Sequence, residues 1–100
     1  MTMQFEWDEA KSDATLERRG FDFAYAALLF DDPWRIERED ARQDYGEPRW
    51  HTIGEIEGRV FLVVYTPREA AVRIISARRA HDNEERTYRD ARQKPQSSDD

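Results

Sequence analysis

The chain has no cysteine, which excludes disulfides, a thiol nucleophile and thiolate metal sites. Its two histidines, His51 and His81, are too few for a zinc cluster without carboxylate help. Lysine is nearly missing too: Lys11 and Lys94 are the only two, and the other 14 cations are arginines. The longest apolar run, Val60 to Tyr65, falls far short of the ~20 residues that span a bilayer. The opening Met1-Thr2-Met3-Gln4-Phe5 lacks the basic region and apolar core of a signal peptide, so a cytoplasmic protein without a membrane association is expected. Leu, Ile, Val and Phe make up about a fifth of the residues, near the level at which highly charged chains lose their fold, so the core is expected to be thin.

One hundred residues suffice for one small domain, which we place at residues 1–92, with residues 93–100, containing Pro95, Ser97 and Ser98, as a flexible tail. The net charge of −6 is unevenly spread. Residues 1–40 hold 5 basic and 11 acidic side chains, whereas residues 71–92 hold six arginines against Asp82, Glu84, Glu85 and Asp90. Arginine's planar fork suits phosphate and carboxylate alike, so the bias fits either an anion-binding surface or a salt-bridged one.

Phe5-Glu6-Trp7 alternates as a short strand does. Asp8 is an N-cap for a helix over Glu9 to Arg19 that stops at Gly20; Trp7, Ala10 and Ala14 mark its buried side, and Lys11, Thr15 and Arg18 an adjacent face. A second helix starts at Asp22, carries Phe23, Ala27 and Phe30 on an apolar stripe, and ends before Asp31-Asp32-Pro33. From Trp34 the period becomes two, as again from Trp50, with Tyr45-Gly46-Glu47-Pro48 as a turn between. Val60 to Thr66, apolar on both faces, is a central strand bounded by turns at Glu57-Gly58 and Pro67, and Ala71 to Ala77 is its partner in an antiparallel meander. Ala80 to Gln93 is helix-permissive, with Glu84 and Tyr88 on one face. This order predicts an α+β fold with the helices against one face of the sheet.

Read in order, Phe5-Glu6-Trp7-Asp8, Lys11, Gly20, Phe23, Phe30-Asp31-Asp32-Pro33, Tyr45-Gly46-Glu47-Pro48-Arg49-Trp50, Gly58-Arg59, Val63-Val64-Tyr65-Thr66 and Arg73-Ile74-Ile75-Ser76-Ala77-Arg78-Arg79-Ala80, followed by Glu84 and Tyr88, the chain resembles the BrnT family of ribonuclease toxins from type II toxin–antitoxin pairs. The resemblance implies a RelE-like fold, with an N-terminal helical pair and a C-terminal helix on a small, mainly antiparallel sheet. It also implies RNA cleavage without metal or other cofactor, inhibition of translation and neutralisation by a BrnA-type antitoxin, with DNA reached only through that partner. Where the family carries Asn and then Lys-His-Gly, this chain has Thr15 and Arg18-Arg19-Gly20. Arginine exchanges a titrating group for a permanently charged one, so a catalytically silent, toxin-like binding partner is the alternative.

Cleavage by the ribose 2′-OH needs cations for the developing phosphorane charge, a base and an acid. Arg49, His51, Arg78 and Tyr88 are the catalytic candidates, and Lys11, Arg18, Arg19, Arg73, Arg79 and Glu84 the candidates for RNA or phosphate binding. Arg73, Arg78 and Arg79 either clamp phosphate in a cleft between sheet and C-terminal helix or pair with Asp82, Glu84 or Glu85. Arg49 either reaches the same face or bridges to Glu47. His51 is a base or a strand residue, and His81 a solvent-facing one. Lys11 contacts phosphate, acts as a base, or pairs on the helix surface with Glu6 or Asp8. Tyr88 stacks on a base, donates a proton or packs the last helix onto the sheet. Trp7, Trp34 and Trp50 are anchors of the core or of an interface.

Overall fold

In the computed structural model, which describes residues 3–40 and 46–93, three α-helices, one 3-10 turn and a five-stranded sheet follow in the order β1 (Phe5–Trp7), α1 (Glu9–Arg19), α2 (Phe23–Ala26), the 3-10 turn (Ala27–Asp31), β2 (Ile36–Glu39), β3 (Trp50–Ile56), β4 (Arg59–Arg68), β5 (Ala71–Arg79) and α3 (Asp82–Gln93). The expected tail beyond Gln93 and the Tyr45 end of the expected turn lie outside the described residues. The sheet order is β1-β5-β4-β3-β2. Strands β2 to β5 form the antiparallel meander, with β4 at the centre, and β1 adds to β5 in parallel. The α+β class is as expected.

Local chemistry sets the helix ends. The Asp8 carboxylate accepts from the backbone N–H groups of Ala10 and Lys11 at 2.9 and 3.3 Å, and Gly20, at φ 87°, returns its N–H to the Leu16 carbonyl. Asp22 caps α2 through the Tyr25 N–H at 2.9 Å. Gly54 permits a close approach: a Cβ there would lie 2.9 Å from Leu29 Cγ.

Alternation along β4 separates two cores. Phe61 and Val63 face α1 and α2 with Phe23, Ala26, Leu29, Phe30, Ile56, Ile74 and Ala77. Val60 and Leu62 face the other way with Ile53 and Tyr88. The helices therefore cover both faces, not one, because β4 is apolar on both sides and α3 crosses to bury the second.

Two further expectations are corrected. Ala10 and Ala14 are exposed, and the buried residues of α1 are Ser12 and Thr15. Ser12 Oγ accepts the Phe23 N–H at 3.0 Å and Thr15 Oγ1 donates to the Lys11 carbonyl at 2.9 Å, so α1 turns a polar face inward to meet backbone groups. Pro67 lies inside β4 opposite Val72, and the turn is at Glu69-Ala70. Proline is tolerated there because the β3 ladder ends with Trp50 opposite Tyr65, leaving this end of β4 with only β5 beside it.

Candidate nucleic-acid interface

Residue alternation and register assign the candidate side chains to two sides of the sheet. On the α3 side, cross-strand pairing places Arg38 beside His51, His51 beside Val64 and Val64 beside Ser76. One turn of the pleat toward α3, the next row is Ile36, Ile53, Leu62 and Arg78. Arg73 follows at the other end of β5, opposite Thr66. Tyr88 covers Ile53, Val60 and Leu62, and the row of Arg38, His51 and Ser76 lies beside that covered patch, with Arg38 and Ser76 exposed.

His51 is held. Its Nε2 is 3.1 Å from Asp40 Oδ2, and the Asp40 side chain is only 4% exposed against 25% for His51. Asp40 is itself fixed, since its N–H donates to the Arg49 carbonyl at 2.8 Å. A buried carboxylate on one ring nitrogen orients the imidazole and leaves Nδ1 for other work.

Three arginines of this side, Arg68, Arg73 and Arg78, are matched to carboxylates. Arg78 Nη1 and Nη2 donate to the two oxygens of Glu84 at 2.9 and 3.0 Å, and Glu84 Oε1 also accepts the His81 N–H at 2.7 Å. Glu84 thus caps α3 from its third position while gripping the end of β5. The Arg78 guanidinium, helped by the His81 N–H, holds the Glu84 carboxyl below the usual glutamate range against the effect of burial. Arg73 Nη1 meets Glu6 at 3.1 Å, and Arg68 meets Glu47 at 2.9 Å. Arg49 is half-buried just before β3. The ring of His81 is solvent-facing, as expected.

Tyr88 takes the packing role. It is 0% exposed, so it cannot stack on a nucleotide base, and its hydroxyl donates to Asp32 Oδ2 at 2.5 Å. Burial and then the Asp32 carboxylate push the phenol up to about 12, which fixes the proton on the tyrosine. Burial disfavours the Asp32 charge, yet the Tyr88 hydroxyl and the N–H groups of Glu55 and Trp34 outweigh it and hold that carboxyl low. Arg92 closes the network by pairing with Glu55 and donating to the Tyr88 oxygen. Of the tryptophans, Trp7 packs edge-on against Phe23 and Trp50 is half-buried, while Trp34 is exposed.

The expected gathering of Arg73, Arg78 and Arg79 in one cleft does not occur. Arg79 pairs across with Phe61 and so points to the α1 side, where its guanidinium lies 5.5 Å from the Phe61 ring. Consecutive strand residues face opposite ways, which separates Arg79 from Arg78. Arg79 shares a groove of about 390 Å³ with Arg19, Arg59, Phe21 and Tyr25. Tyr25 donates to Glu57 at 2.6 Å, a bond that raises the phenol pKa. Lys11, Arg18 and Arg19 line a second groove, about 320 Å³, between α1 and Ile75-Ser76-Ala77 of β5. The sequence reading did not single out Arg59 as a site residue, although it stands in the Gly58-Arg59 segment. Asp40 was also missed, and no spacing links it to His51, since 11 residues separate them.

Among the described residues, no group of three or more His, Asp and Glu is arranged to hold a metal ion, and no helix is long and apolar enough to cross a membrane. The result is a small α+β domain with guanidinia on both sides of β5. The particular family follows from the sequence: residues 7–84 match the ribonuclease toxin BrnT of type II toxin–antitoxin systems, and the chain belongs to that family. The match runs from Trp7 of β1 to Glu84 of α3. No curated protein matches the chain. Membership implies an RNA substrate and an antitoxin partner.

Proposed function

We propose that this protein is a metal-independent endoribonuclease that cuts RNA on the α3 side of its sheet, inhibits translation and is neutralised by a BrnA-type antitoxin, in the cytoplasm. The single observation that carries the site is the His51–Asp40 pair beside Arg38 on the row of the sheet not covered by Tyr88. With Nε2 occupied by Asp40, Nδ1 takes the proton of a ribose 2′-OH. The 2′-oxygen then bonds to phosphorus and the bond from phosphorus to the 5′-oxygen breaks, leaving a 2′,3′-cyclic phosphate and a 5′-hydroxyl that takes its proton from water. Arg38, Arg73 and Arg78 supply positive charge toward the phosphorane. Glu84 is then a positioning residue that fixes the Arg78 fork, and Tyr88 is structural.

Expression of the chain alone in a bacterial host tests this reading. Growth arrest with loss of RNA, both absent for His51→Gln, is the expected result, and intact RNA with confirmed soluble chain overturns it. A catalytically silent partner of the antitoxin is the second reading: the resemblance puts Arg19 where the family carries histidine, arginine stays charged and cannot act as a base, and Arg19 donates to the Ala77 carbonyl at 3.3 Å.

A further inference from the structure

Lys11, Arg18, Arg19, Arg59 and Arg79 form a band along α1, the end of β5 and the start of β4. All five are exposed, and among the described residues none of them has an ion-pair partner. Arg19 lines both grooves beside α1, which joins them into one path. We propose that this band is a track for the single-stranded RNA flanking the scissile bond, an inference that rests on the ribonuclease reading above.

Two observations connect the track to the cleavage face. β1 pairs with β5 only at Val72 to Ile74, so from Ile75 onward the edge of β5 faces α1. Ser76 lines the groove there and also stands in the cross-strand row of His51, about 10 Å away across two strand spacings. A strand leaving His51 thus crosses one exposed serine and reaches Lys11 and Arg18. Beyond them, Arg19, Arg59 and Arg79 continue the charge beside the half-buried rings of Phe21 and Tyr25.

The chemistry fits a polyanion better than an acidic protein segment. Cations spread along two connected grooves meet successive phosphates, whereas a protein segment needs apolar anchor pockets. Apart from exposed Leu16, the large apolar side chains lining this path, Phe21, Phe23, Tyr25, Phe61 and Ile75, are half-buried or buried and leave little apolar surface for such anchors. An overall charge of −6 disfavours RNA, and a band of unneutralised cations is what lets such a chain approach it.

The test uses the full chain and a fluorescent single-stranded RNA of about 12 nucleotides, within the usual range of site sizes, with every 2′-oxygen methylated so that it binds uncut. Arg18→Ala/Arg59→Ala is compared with Arg86→Glu, which changes the net charge equally on the outer face of α3. The double variant is expected to bind about tenfold more weakly and to flatten the slope of log affinity against log salt by about 1.4, while Arg86→Glu stays within about twofold of the parent. Equal effects of the two variants overturn the track. So does a glutamate-rich peptide that binds as tightly as the RNA and is lost to the same extent in the double variant, which gives the band to an acidic protein. Binding through Arg18 and Arg59 by a chain that leaves ordinary RNA uncut keeps the track and removes the ribonuclease reading; cut RNA with an unaltered salt slope does the reverse.

Discussion

On the α3 side of β5, Arg73 and Arg78 each meet a carboxylate, Glu6 and Glu84; on the α1 side, Arg79 meets the face of Phe61 and neighbours Arg19 and Arg59. These residues are close neighbours on one strand, yet the pleat sends them into opposite electrostatic settings. A paired arginine is held in one geometry, and its partner cancels part of its field. An unpaired one keeps its field for a ligand. The difference teaches that the count of arginines in the C-terminal third says little about which of them bind, because the carboxylates that neutralise them come from β1 and α3 only after folding.

That contrast can be broken or sharpened by substitution. The largest effect is expected at Tyr88, the anchor of the α3 side. Tyr88→Ala removes the buried ring from Ile53, Val60 and Leu62 and unties Asp32, and should cost about 3–5 kcal/mol in denaturant unfolding. A loss below about 1 kcal/mol would show that α3 is not held by this ring. Next is His51→Gln, which keeps a donor for Asp40 while removing the base. Cleavage by purified chain should fall about a hundredfold or more with the melting temperature nearly unchanged. Undiminished cleavage would remove His51 from the chemistry.

Arg78→Ala comes third, at about 1–2 kcal/mol, and its pH dependence separates a structural tie from a free cation. Arg78 lowers the folded pKa of Glu84 below its unfolded value. The resulting stability is present above the unfolded glutamate pKa of about 4.3 and is lost as pH falls through the folded value. Melting curves at neutral pH and in acid should therefore differ less in Arg78→Ala than in the parent, and an unchanged difference would mean that the pair adds nothing. The smallest effect is expected for Arg73→Ala, because its pair with Glu6 is largely exposed. Less than about 1 kcal/mol should be lost, and a larger loss would place Arg73 among the structural ties with Arg78.

Much of the architecture is legible along the chain because its signals are local. Asp8, Gly20 and Asp22 cap helices through side-chain and backbone bonds spanning a few residues. The apolar run of β4 declares a strand buried on both faces. The inner face of α1 was not legible: Ala10 and Ala14 look buried by composition, but Ser12 and Thr15 are what the Phe23 N–H and the helix backbone demand. Pro67 reads as a turn because a missing N–H excludes it from a doubly paired strand, and only the end of the β3 ladder makes it harmless.

The sequence by itself determined the element order, the central strand, the caps and the family, since each depends on neighbours in the chain or on an ordered set of motifs. Only the tertiary structure decided that α3 covers a second face, that Tyr88 is a buried anchor, that Asp40 holds His51, and that Arg78 and Arg79 part company. Those outcomes depend on strand register and on partners up to 56 residues apart, as for Tyr88 and Asp32, where a one-residue change in register exchanges the two faces.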